Sequence, residues 1–237
     1  MDFSGRTAIV TGGKGALGSE LVRSFLGAGA NVAIPVRPGS ILEDARADSH
    51  QGSGRVVERA CDVTAERDVA GFVSAIRKEF GGPDFLMHAA GGYDGGKRVD
   101  ETSSDMWDRM LSLNLRSAFL FAKEVLPSML SKGDGRLVFV SAATALRPAA
   151  RSGAYAVAKR GILTLMEVLA EEVKGTGVTA NAVAPSVIDT PANRVSMPDA
   201  DWKRWVRPED MASIILYLCS PGAREINGAT LPLRGGM

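Results

Sequence analysis

The chain has 237 residues, of which 45% are hydrophobic and 23% charged, with a formal net charge of +1. That length buries a sizeable core in one α/β domain, and so small a net charge gives no basic field for holding nucleic acid. Two cysteines without a CxxC, two histidines without an HExxH, and no apolar run of bilayer length set aside a disulfide framework, a zinc hydrolase and a membrane span. The start, Met1-Asp2-Phe3, carries no basic leader, so the expectation is a cytoplasmic protein with a small-molecule substrate and no metal.

Thr7-Ala-Ile-Val-Thr11 reads as a short buried strand, followed by Gly12-Gly-Lys-Gly-Ala-Leu-Gly18 and then a helical pattern over Glu20–Leu26. Strand, glycine turn and helix form the context of a dinucleotide-binding loop, in which backbone approaches the pyrophosphate and the helix N-terminus faces its charge. Asn31–Val36 predicts the second strand. About 20 residues past the glycines, an NAD enzyme places an acid and an NADP enzyme an arginine. Here Val36 is followed by Arg37, with no acid until Glu43, and Lys14 in the glycine loop adds a second cation for a 2′-phosphate. The coenzyme reading is NADP(H), with NAD(H) kept open; two solvated surface cations are the plainer alternative.

Pro38–Gly54 reads as a polar loop and Gly54–Ala60 as a third strand. A helix over Ala65–Phe80 and a strand over Asp84–His88 follow, the strand running into Ala89-Ala-Gly-Gly92. Residues 103–130 predict a long helix, interrupted near Pro127 and holding Asn114. Gly135–Val140 and Val178–Val183 are further strands, a helix precedes Leu218, and Ala229–Leu233 closes the sheet. Strands alternating with helices and no linker-like stretch predict one domain over residues 1–237, a doubly wound parallel sheet of about seven strands with helices on both faces. Its cofactor half covers about residues 1–140 and its catalytic and substrate half the remainder.

The chemistry centres on Ser152-Gly-Ala-Tyr-Ala-Val-Ala-Lys159. Tyr155 and Lys159 are four apart and leave the same face of a helix. An ammonium beside a phenol favours the phenolate and makes the phenol a better proton carrier.

Thr11–Gly18, Asp62-Val63, Ala90-Gly91, Asn114 and Tyr155-Ala-Val-Ala-Lys159 stand in the order and spacing of the short-chain dehydrogenases/reductases, which the whole chain resembles. The resemblance implies a Rossmann-type sheet and a nicotinamide dinucleotide held by Gly12, Lys14, Ala16, Leu17, Gly18 and Arg37. Asp62 and Val63 would frame the adenine, with Ala90, Gly91 and Lys159 further along the cofactor. Backbone at Ile188, after Pro185, and the hydroxyl of Thr190 would meet the carboxamide and phosphate. Tyr155, Lys159 and Asn114 would be catalytic, Asn114 kinking its helix and keeping a relay water; a surface amide is its plainer reading. The resemblance also implies a homodimer or homotetramer paired through the helices around 103–130 and 153–174.

The departures narrow the group. Ala16 replaces a glycine, His88-Ala-Ala-Gly91 replaces the NNAG stretch, and Ser186 replaces a further glycine. The family's serine, thirteen residues before its tyrosine, falls on Ala142; its neighbours Ser141 and Thr144 are candidate substitutes, though adjacent strand residues face opposite sides. Gly91–Gly96, Ser141–Leu146 and Asp189–Trp202 are similar to the quinonoid dihydropteridine reductase branch, which also lacks the serine and acts on an already electrophilic ring. Tyr93, Met197 and Trp202 are then candidates for a flat substrate wall, or equally for a hydrophobic lid packed on itself. The function implied is hydride transfer to a small electron-poor ring or carbonyl substrate. A 3-oxoacyl or general carbonyl reductase and a non-catalytic NADPH sensor are the alternatives.

Overall fold

The computed structural model describes residues 1–40 and 54–236, so most of the polar stretch expected as a loop after Pro38 lies outside the described residues. Seven strands form one parallel sheet in the order β3-β2-β1-β4-β5-β6-β7. They are β1 (Thr7–Thr11), β2 (Asn31–Val36), β3 (Val56–Ala60), β4 (Phe85–His88), β5 (Gly135–Val140), β6 (Val178–Pro185) and β7 (Thr230–Leu233). β1, β4, β5 and β6 are buried along their whole length, which is why they read as continuous apolar runs rather than alternating ones.

Helices cover both faces: α2 (Glu66–Phe80), α4 (Ser117–Lys132) and α6 (Gly153–Glu172) on one, α1 (Ala16–Gly27) and α8 (Pro208–Cys219) on the other. Strand alternation divides the core between them. Ile9, Leu137 and Phe139 pack with Phe72, Phe121 and Met166, whereas Val10, Val138 and Val140 pack with Leu21, Phe25 and Ile215. Short helices α3 (Ser104–Met110), α5 (Ala143–Leu146) and α7 (Pro191–Ser196) lie in the connections.

The chain builds outward from β1 to β3, then restarts at β4 on the other side of β1. Thr11 stands in register with His88, so the glycine turn and the β4 exit face each other where the strand order reverses. Open parallel sheets bind ligands at the carboxyl ends of strands at such a reversal.

The predicted interruption at Pro127 is corrected. α4 runs through Pro127 without a break, its inner side anchored by Val125 and Met129, both fully buried. That packing outweighs the one backbone hydrogen bond a proline removes. The irregularity lies instead at Leu111–Arg116, one wide π turn between α3 and α4 that contains Asn114. Such turns concentrate at functional sites.

Candidate active site

The glycine loop is built for close approach. Gly12 has φ +70, and a Cβ there would lie 2.9 Å from the Ala89 carbonyl oxygen. A Cβ on Gly18 would lie 2.6 Å from the Gly12 carbonyl carbon, so helix α1 can start only against a bare backbone. Gly15 caps α1 without a side-chain hydrogen bond, leaving first-turn N–H groups at Ala16 and Leu17 directed at the loop. An uncapped N-terminus on a 12-residue helix presents free N–H groups and the positive end of the helix dipole, which suit an anion.

Both cations proposed for a 2′-phosphate are present, in unequal circumstances. Lys14 Nζ lies 3.0 Å from Glu58 Oε2 on β3, whose side chain is 8% exposed. Glu58 was invisible to sequence reasoning because only the register opposite Ile34 brings it beneath the loop. Arg37 sits exposed at the end of β2 and acts on Asp62, helping to hold that carboxyl below its ordinary range. The larger cause is Thr64, whose N–H and hydroxyl both donate to Asp62 Oδ1. Asp62 is thus the turn residue its position allowed, with Val63 packed against the core.

At the β4 exit, the bare backbone of Gly91 packs directly against two buried groups. A Cβ there would lie 2.6 Å from Asn114 Oδ1 and 3.2 Å from Lys159 Nζ. Asn114 is fully buried, which corrects the surface-amide alternative. Its Oδ1 accepts from the Gly92 N–H at 3.2 Å, and its Nδ2 donates to the carbonyls of Gly92 at 3.1 Å and Met110 at 3.0 Å. Ala90 donates its N–H to Thr11 Oγ1 at 2.9 Å, so this loop is pinned on both sides.

Tyr155 and Lys159 leave the same face of α6. The Lys159 ammonium lies 5.7 Å from the Tyr155 ring centroid and donates to the Val140 carbonyl at 3.0 Å. Burial pushes the Lys159 ammonium down to about 8 and the Tyr155 phenol up to about 12, the latter with a smaller contribution from Tyr93. The expected lowering of Tyr155 is therefore corrected. The lysine is turned to a backbone oxygen, and desolvation outweighs its pull on the phenolate. The Tyr155 phenol is thus neutral at pH 7.

Ser141 and Thr144, the hydroxyls flanking Ala142, are both placed by the structure. The buried Ser141 hydroxyl donates to the Lys159 carbonyl at 2.8 Å, fastening β5 to α6. Thr144 Oγ1 is buried without a hydrogen-bond partner among the described residues.

Tyr93 meets Tyr155 edge-on, with ring centroids 5.1 Å apart and planes at 86°. The loop carrying it is clamped rather than loose: Gly92 to Asn114, Asp94 to Arg109, and Gly96 to Arg151 through bonds in both directions. Arg151 holds φ 65, a strained value for a residue with a side chain, just before the catalytic helix. Met197 and Trp202 join one another instead. The Trp202 indole donates to the Met197 carbonyl at 3.1 Å, and Arg194 lies 4.7 Å over its ring. The three expected wall residues thus form two groups. Thr190 uses its hydroxyl to cap α7, accepting from the Asn193 N–H at 3.1 Å, and Asn193 Nδ2 donates to the Ile188 carbonyl at 2.8 Å. Both residues, following Pro185 at the end of β6, lie at the same carboxyl edge of the parallel sheet as the glycine turn after β1.

A seven-stranded parallel sheet with a glycine turn at its reversal point, and a half-buried Tyr155 with a buried Lys159 beside it, defines a single-domain dinucleotide-dependent oxidoreductase. The profile of the enoyl-(acyl carrier protein) reductase family matches residues 13–237, and the chain belongs to the short-chain dehydrogenases/reductases. It is 30% identical to a D-beta-hydroxybutyrate dehydrogenase from Cupriavidus necator, covering 99% of this chain and 98% of that one. It is 29% identical to the 3-oxoacyl-acyl-carrier-protein reductase of Vibrio cholerae, covering 100% and 99%. Among solved structures, a short-chain type dehydrogenase/reductase from Mycobacterium ulcerans superimposes with a TM-score of 0.90 at 26% identity, covering 100% of this chain and 90% of that one. NAD(P)-dependent oxidoreduction is the chemistry these relationships support, and NAD(P)(H) the cofactor.

Proposed function

We propose that the protein is an NADPH-linked reductase of a small, flat, electron-poor substrate, with a quinonoid dihydropteridine as the reference compound. The bare-backbone turn at Gly12 and Gly18 and the uncapped start of α1 fit a dinucleotide. When bound, that group supplies the hydride. Tyr155, neutral at pH 7, donates the proton to the reduced ring nitrogen or oxygen. Lys159 keeps a positive charge beside it and is within reach of ribose hydroxyls across Gly91. Arg37 attracts a 2′-phosphate more effectively than Lys14, whose charge Glu58 offsets.

The observation that carries this reading is the Ser141 hydroxyl bound to the Lys159 carbonyl, with Ala142 in the serine's place. A ketone relies on a second hydroxyl to polarise its oxygen, whereas a quinonoid ring is already electrophilic. The carbonyl-reductase alternative is favoured by the 3-oxoacyl reductase among the relatives, and by Thr144, whose unpartnered hydroxyl supplies a second donor if it faces the substrate. Helices α4 and α6 expose Phe119, Leu130 and Val168, which supports a homodimer or homotetramer paired through them.

Turnover with NADPH against quinonoid dihydropterin, a quinone, an aldehyde and a β-ketoacyl thioester tests the proposal. Tyr155→Phe is expected to lower kcat by about a hundredfold or more with coenzyme binding intact. NADPH binding without turnover on any of the four would identify a sensor instead.

A further inference from the structure

His88 lies fully buried between two hydroxyls that belong to different parts of the site. Its Nδ1 is 3.2 Å from Thr11 Oγ1 and its Nε2 is 3.2 Å from Ser117 Oγ. The side chain is otherwise walled by the rings of Phe121 and Phe139. Desolvation, with the Lys159 charge as a second cause, pushes the imidazole down to about 3, so it is neutral at working pH.

A neutral imidazole has one donor and one acceptor, and the surrounding bonds decide which is which. Ser117 has a single proton, and its shortest contact is to the Leu113 carbonyl at 2.6 Å. Its oxygen must then accept from His88 Nε2–H. Nδ1 is left bare and accepts the Thr11 hydroxyl proton, and Thr11 Oγ1 in turn accepts the Ala90 N–H at 2.9 Å. Every donor in this chain, from Ala90 to Leu113, has one acceptor. With the other tautomer, Nε2 and Ser117 Oγ would confront each other with lone pairs unless the Leu113 bond were given up.

The two ends carry functional groups. Thr11 fixes Ala90, next to Gly91, whose backbone lies against Asn114 and Lys159. Ser117 occupies the Leu113 carbonyl inside the π turn, one residue before Asn114, and Asn114 clamps Gly92. We infer that His88, held as the Nε2–H tautomer, is a positioning residue that locks the cofactor-facing loop at residues 89–92 and the Asn114 turn to one another. The kinetic part of this inference rests on the reductase reading; the tautomer does not.

The chain contains only His50 and His88, so full-length protein carrying His50→Gln and ¹⁵N-labelled histidine shows a single imidazole. The expected spectrum is Nε2–H, unchanged between pH 8 and pH 5. An Nδ1–H signal, or titration within that range, overturns the inference. Kinetics then separate positioning from plain packing. His88→Met keeps an apolar filling and removes both bonds, and kcat is expected to fall about tenfold to a hundredfold, the scale of small misplacements near reacting atoms. His88→Gln, with one amide donor and one acceptor, is expected to recover most of that loss. If both variants lose thermal stability while kcat stays at the parent value, His88 is only a packing residue. Absence of turnover in the parent protein would reject the reductase reading, and the spectrum would still decide the tautomer.

Discussion

Lys159 is the costliest group in the site, and Lys159→Met measures that cost. The ammonium is 5% exposed, and burial pushes it from its ordinary 10.5 to about 8. Holding it charged at pH 7 therefore destabilises the fold by about 3 kcal/mol relative to an unshifted lysine. Because the folded pKa is the lower one, the unfolded chain binds more protons between pH 8 and 10.5, and stability rises with pH through that window. Integration from pH 7 to 9.5 gives a gain of about 2 kcal/mol attributable to this residue. Other groups act in the opposite direction: burial raises the Cys61 thiol to about 12 and pushes Cys219 up as well, so both resist ionisation in the fold. The difference between parent and Lys159→Met cancels those contributions. Urea unfolding at pH 7 and 9.5 should show the parent gaining about 2 kcal/mol more than the variant. At pH 7 the variant loses the bond to the Val140 carbonyl but no longer buries a charge, so it should be inactive yet close to the parent in stability. Parallel pH dependence in the two proteins would refute the claim that Lys159 is buried as an ammonium.

Three further outcomes follow from the geometry. A Cβ on Gly95 would stand 2.6 Å from Tyr93 Cζ, so Gly95→Ala must move that ring off Tyr155; KM for a flat ring substrate should rise about twofold to tenfold, the value of an aromatic pair, while a small aliphatic aldehyde is unaffected. Arg37→Glu should raise KM for NADPH at least about tenfold and improve NADH, as steady-state kinetics with both coenzymes would show; unchanged preference would transfer the role to Lys14. Val168→Asp, on the exposed face of α6 where Val168 is 50% exposed, should shift sedimentation toward the 24.9 kDa monomer.

The sheet was legible because strands buried on both faces need uninterrupted apolar residues, and runs such as Thr7–Thr11 and Gly135–Val140 contain little else. The glycine turn and the Tyr155–Lys159 spacing were equally plain, since each depends on local geometry. What stayed hidden depends on distant partners. No composition marks the π turn at Leu111–Arg116, and only the family resemblance placed a kink at Asn114; the Ser117 and Asn114 hydrogen bonds hold the turn in place. Pro127 carried a local helix-breaking signal, and tertiary burial of its neighbours overrode it. Glu58 meets Lys14 only through the β2–β3 register, and Trp202 turned to Met197 rather than to Tyr93. His88 was readable as a buried strand end, but its partners are 77 and 29 residues away.

The polar groups near the reversal point follow a consistent division of labour. Ser141, Asn114, His88, Thr11 and Ser117 are buried with their hydrogen bonds directed to backbone or to each other. Such groups add rigidity, since each broken bond would strand a buried partner. Tyr155 is different: among the described residues its ring meets the edge of Tyr93 and lies 5.7 Å from the Lys159 ammonium, with no hydrogen bond of this kind to its phenol. Its raised pKa keeps the phenol protonated at neutral pH, so the hydroxyl still carries its proton there, held more tightly than in a free tyrosine.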